Sequence, residues 1–171
     1  MPKIFFNKKF EKKSTSKVEL GRRTGTVTQI VGLGDQPAYK VGDPPCPSVG
    51  VVVQLSDGQV AKRMRICDSP YSAIFSFLNA ALPNPDDSFE DPLPLTLGCP
   101  VSLEIVANGN FQNVESFHRP MEFELSDAPK VDPDSLLFLE KAEDLVGEEG
   151  KQQFHKLHPE IRGWLSKRVR G

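Results

Sequence analysis

Between residues 24 and 118 the chain reads as five short β-type runs with one amphipathic helix inserted after the third, and that order restricts the possible folds more than any other feature. Residues 24–33 are rich in threonine, valine and isoleucine and stop at Gly34-Asp35. Pro37, Pro44, Pro45 and Pro47 make the next stretch a long loop. Residues 49–55 and 60–67 form two more strands, joined by Ser56-Asp57-Gly58-Gln59. Asp-Gly between β-type runs predicts a type I′ hairpin, because glycine tolerates positive φ. Ser69 then caps a helix with Pro70 at its first position. Its apolar stripe is Tyr71, Ile74, Phe75, Leu78 and Leu82, and Pro83 and Pro85 end it. Residues 101–107 alternate apolar and polar, Asn108-Gly109 predicts a second tight turn, and residues 111–118 form the fifth strand. Asp132-Pro133 opens a further helix that Gly147 closes, and a last helix runs over about 152–168 with a break near Pro159.

Five strands with a helix between the third and fourth is the order of the OB-fold, a partly open Greek-key barrel within the mainly β class. The helix plugs one end of such a barrel. Ligands bind on strands two and three and on the loops after strands one and four. An immunoglobulin-like sandwich would need about seven strands and no central helix. The chain divides into a basic flexible arm over 1–23, the barrel over 24–118 and a C-terminal extension with two helices over 119–171.

The net charge of −2 conceals a strong segregation. Residues 1–23 carry eight basic and two acidic side chains, residues 86–149 three and sixteen, and residues 150–171 six and one. Local fields of this kind govern the encounter with a polyanion, whereas the overall charge does not. A solvated arm and ordinary solvated faces are the plainer explanation. No apolar run approaches the roughly 20 residues of a membrane helix, and the first residues hold no signal-peptide core. Three well-separated cysteines, Cys46, Cys67 and Cys99, do not suggest a disulfide scaffold and fit a reducing cytoplasm.

The stretch Gly25-Thr26-Val27-Thr28-Gln29-Ile30-Val31-Gly32-Leu33-Gly34-Asp35-Gln36-Pro37 resembles the opening strand and turn of bacteriophage OB-fold single-stranded-DNA-binding proteins. Phe154-His155-Lys156-Leu157-His158-Pro159-Glu160-Ile161-Arg162-Gly163-Trp164-Leu165 resembles a short segment near the end of the same proteins. The resemblance implies a non-enzymatic protein that coats single strands during phage DNA replication or recombination. Its implied partners are single-stranded DNA and other replication proteins, with a homodimer as a further option and no membrane. Such proteins often finish in an acidic tail, where this chain has Arg162, Lys167, Arg168 and Arg170.

Binding a single strand takes cations along a groove and aromatic faces for the bases. In the third strand, alternation places Arg63 and Arg65 on the outer face and Lys62 on the opposite one. A solvated edge bearing two arginines is the alternative. Thr26, Thr28 and Gln54 are expected to point outward beside them, and Tyr39 with Lys40 to lie in the first loop, where an OB-fold closes over its ligand. Phe111 and Phe117 are either core residues or stacking platforms. Arg22 and Arg23 extend the lysines of the arm, which could hold phosphates without sequence preference. No phosphate loop, nucleophile elbow or Cys-x-x-Cys is present, so no cofactor and no catalysis are expected. His155 and His158 make a weak zinc pattern, and Asp86, Asp87, Glu90 and Asp91 a weak nuclease pattern. A β-barrel protein–protein adaptor in a viral assembly is the second reading, and a metal-dependent nuclease the third.

Overall fold

The structure, a computed structural model, describes residues 17–38, 42–67, 69, 71–82, 92–140 and 154–167. It is mainly β. Six strands are present among the described residues: β1 (Gly21–Gln36), β2 (Cys46–Leu55), β3 (Gly58–Arg65), β4 (Pro100–Asn108), β5 (Phe111–His118) and β6 (Leu137–Leu139). Helices among the described residues include α1 (Ala73–Ala81) and α2 (Pro159–Ser166). The antiparallel order is β3-β2-β1-β4-β5, and β6 adds to β1 in parallel. This is the strand order of an OB-fold, with α1 between β3 and β4. Residues 59–61 of β3 face residues 111–114 of β5 across a small groove of about 160 Å³, so the barrel is partly open at that seam.

β1 is long enough to serve several neighbours because it bends twice. Thr28 and Leu33 are extra residues against β2, at the register shifts between Val27 and Gln29 and between Gly32 and Gly34. Each bulge turns the strand and resets which side chains face inward. Val27 and Ile30 therefore enter the barrel core, whereas Val31 and Leu33 enter a second cluster outside it. A bulge at Glu115 does the same in β5, since Glu104 pairs with Ser116 but Ile105 with Val114. Val114 and Phe117 are both buried as a result, although strict alternation would put them on opposite faces. Phe117 meets Phe77 of α1 edge to face, with ring centroids 5.1 Å apart, at the plugged end of the barrel.

Several local expectations are corrected. Leu55 pairs with Gly58, so the first hairpin loop is Ser56-Asp57, and neither residue has the positive φ of a type I′ turn. Asn108 pairs with Phe111, which makes the second loop Gly109-Asn110. Gly109 has φ +63 and Asn110 has a negative φ, the pattern of a type II′ turn. The helix cap is Ser72, whose Oγ accepts from the Phe75 N–H, and not Ser69. Tyr71 consequently falls outside the helix and is 95% exposed. Leu82 ends α1 in an extended conformation, as a residue before proline should. No α-helix starts at Pro133: Asp132 caps a single 3-10 turn, Pro133–Ser135, and the chain then pairs with β1 as β6, while residues 141–147 of the expected helix lie outside the described residues. Residues 1–16 of the expected arm are outside the described residues, and its last residues, Gly21, Arg22 and Arg23, belong to β1.

The C-terminal extension forms a second layer running along β1. Glu124 binds Arg22, the Pro129 carbonyl accepts from Thr26, β6 pairs with residues 29–31, and the Trp164 carbonyl accepts from Gln36. Gln29 fastens the segment leading into α2 with both ends of its amide: Nε2 donates to the Lys156 carbonyl at 2.7 Å, and Oε1 accepts from the His158 N–H at 3.0 Å. Leu139, Leu157 and Ile161 then bury Val31, Leu33 and Val52. Fully burying side chains such as Leu157 and Ile161 contributes about 1.5–3 kcal/mol each. α2 packs over Gly50, where a Cβ would make ordinary contact with Ile161 and Trp164 at 3.4 Å.

Candidate functional site

This second layer decides where a ligand can reach the barrel. The outer face of β1 and β2, next to the groove expected on the second and third strands, is apolar and covered by β6 and α2. Past the end of α2 a cleft of about 730 Å³ opens between the start of the β1–β2 loop, the last half of β3 and the entry to α1. Lys62, Arg63 and Arg65 line it, and among the described residues Asp43 is the one acid in its lining. Residues from both faces of β3 reach the cleft because β3 is a terminal strand of the hydrogen-bonded order.

The three cations are held differently. Arg65 is exposed and pairs in register with Ser48. Lys62 is half-buried opposite Val51. Arg63 donates from Nη1 to Gln36 Oε1 at 3.3 Å, while Gln36 Nε2 donates to the Trp164 carbonyl at 2.8 Å. One buried amide thus joins a cleft arginine to the end of α2. The start of α1 completes the wall. It has no acid in its first turn, so its free N–H groups add partial positive charge to the cleft. Tyr71 lines the same cleft with its ring almost wholly in solvent. Sequence reasoning assigned this tyrosine to the helix stripe. The signal that places it correctly is the second capping serine, Ser72, directly after it.

The other expected site residues are placed elsewhere. Thr26 and Thr28 are buried, and their hydroxyls donate to the carbonyls of Pro129 and Val52. Gln54 is engaged by Leu55, Gly58 and Gln59 around the first hairpin. Arg22 makes a two-pronged pair with Glu124 at 2.8 and 2.9 Å, and this guanidinium holds the Glu124 carboxyl down at about 2. Arg23 binds Asp57 at 2.8 Å, and Asp57 is likewise lowered to about 2. Both arginines tie parts of the fold together through these pairs. Phe111 is 77% exposed at the β3–β5 seam, away from the cleft, whereas Phe117 is core. Tyr39, Lys40 and the acidic residues 86–91 lie outside the described residues. His158 caps α2 from a buried position and His155 is exposed, and among the described residues no group of three or more His, Cys, Asp or Glu side chains is arranged to hold a metal. No helix among the described residues is long and apolar enough to cross a membrane. No protein-family model matches the chain, and a search of curated proteins finds no similar sequence.

Proposed function

We propose that the protein binds single-stranded DNA, with little sequence preference and without catalysis, in DNA replication or recombination of the bacteriophage type and in a cytoplasmic setting. The observation that carries this reading is the cleft in which Lys62, Arg63 and Arg65 meet the bare ring of Tyr71. Cations following a phosphate backbone and an aromatic face for a base are the two parts of single-strand recognition. Because the outer face of β1 and β2 is covered, this reading puts the strand at the end of β3 and the start of the β1–β2 loop.

The test is fluorescence anisotropy with labelled oligo-dT and the matching duplex at two salt concentrations. The single strand should bind more tightly, and its affinity should fall with salt. Each phosphate contact contributes about −0.7 to the slope, so Lys62→Ala with Arg65→Ala should flatten it by about 1.4. Tyr71→Ala should cost about 1–3 kcal/mol for a lost stack. Equal binding to duplex, or none at low salt, would refute the reading. A protein–protein adaptor is then the better description. The exposed apolar side chains Met121, Phe123 and Leu125, grouped about one 3-10 turn, favour that second reading.

A further inference from the structure

We propose that Cys46 and Cys67 are a reversible cross-strand disulfide site on the wall of the basic cleft. β2 and β3 are in register from the Leu55–Gly58 pair to the Ser48–Arg65 pair. The ladder continues one step further, because the Ile66 N–H donates to the Pro47 carbonyl at 2.9 Å. The next pair in that register is Cys46 with Cys67. Pro47 and Ile66 are the hydrogen-bonded pair, so Cys46 and Cys67 fall at a position without ladder hydrogen bonds. At such positions the Cα atoms of an antiparallel pair lie about 4.5 Å apart, and their side chains share one face. That separation is at the short end of the roughly 4.4–6.8 Å that a disulfide spans. Both thiols are free and half-buried, and both line the cleft that holds Lys62, Arg63 and Arg65. Cys99, also half-buried, stands just before β4 and does not line the cleft, so it serves as an internal control.

The oxidant is a small disulfide such as oxidised glutathione. The thiolate of one cysteine attacks it, forming a mixed disulfide and expelling one glutathione thiolate. The second cysteine, as thiolate, attacks the protein sulfur of the mixed disulfide and expels the other. Two protein S–H bonds become one S–S bond, and the oxidant's S–S bond becomes two S–H bonds. The two electrons and both protons pass to glutathione. The bridge would tie the start of β2 to Cys67, just past the end of β3, so the redox state would set how freely that wall of the cleft moves.

The experiment incubates the folded full-length chain with oxidised glutathione and counts free thiols after denaturation. Peptide mapping without reduction then locates any bridge. The expected result is loss of two thiols from three, a Cys46–Cys67 linked peptide, and full recovery with dithiothreitol. Cys46→Ser should instead leave Cys67 reduced or singly glutathionylated, and both side chains are exposed enough for the variant to fold. Three free thiols, a bridge that includes Cys99, or separate adducts on both cysteines would overturn the proposal. Oligo-dT affinity of the reduced and oxidised forms reads the consequence, a change of threefold or more. A bridge with unchanged affinity would overturn the coupling to the cleft. Absence of oligo-dT binding in both forms would refute the single-strand reading, and the thiol count would still judge the bridge.

Discussion

Acid should loosen the C-terminal layer before it unfolds the barrel, and His158 is the reason. The residue is 4% exposed, and Nδ1 accepts the Glu160 N–H at 3.1 Å, capping α2. Burial, with the Arg162 guanidinium as a lesser cause, lowers its pKa from 6.5 to about 4. The folded chain therefore keeps this imidazole neutral where the unfolded chain binds a proton. Stability is full above pH 6.5, falls as pH drops through the interval to about 4, and loses nothing more from this group below that. The gap between the two values corresponds to about 3 kcal/mol. With a urea slope near 2 kcal/mol per M, the midpoint should fall by about 1.5 M between pH 7 and pH 4. Trp164, the one tryptophan in the chain, packs beside Gly50 and reports α2 through its fluorescence. His158→Asn keeps a capping acceptor and removes the titration, so its urea midpoint should be nearly flat over the same interval. An equal fall in the variant would refute the assignment and shift it to other groups.

Three further outcomes are expected. Glu124→Gln should remove part of the acid sensitivity below pH 4.5, because the Glu124 carboxyl is lowered to about 2 by Arg22 and its stabilisation is lost as pH falls through that range, visible in pH-dependent thermal melts. Thr26→Val should cost about 1 kcal/mol in a urea titration, since the Pro129 carbonyl loses its donor, and should leave oligo-dT affinity unchanged. Gly32→Ala should dislodge β6, because a Cβ there collides with the Glu140 carbonyl, and hydrogen exchange of the Leu137–Leu139 amides should accelerate.

The barrel was legible because its signals are local. Hydrophobic alternation, Asp-Gly and Asn-Gly turns and a proline-bracketed amphipathic stripe each act within a few residues, so the strands and α1 could be located to within a few positions. β5 was located without error, at Phe111–His118. The misreadings arose where neighbouring residues compete for one role. Ser69 and Ser72 could both cap α1, and only packing of Ile74 and Phe77 into the barrel selects Ser72. Leu137, Phe138 and Leu139 read equally well as helix or strand, and the bent half of β1 recruits them as β6.

The site was legible only in part, for the same reason. Arg63 and Arg65 stand out because strand alternation is a property of the backbone itself. Whether a threonine or glutamine elsewhere is available depends on its partners in the fold: those of Gln54 lie one to five residues away, but those of Thr28 and Thr26, Val52 and Pro129, lie 24 and 103 residues away. Sequence by itself determined the mainly β class, the element order of the barrel, the charge segregation and the basic third strand, since these follow from nearest neighbours along the chain. Only the tertiary structure decided that the C-terminal extension would cover the outer face of β1 and β2, that Arg22 and Arg23 would be tied up in ion pairs, and that Tyr71, Cys46 and Cys67 would share a cleft with Lys62, Arg63 and Arg65. The two bulges in β1 are the physical cause. They turn its apolar side chains Val31 and Leu33 outward, and burying those required a second layer drawn from the far end of the chain.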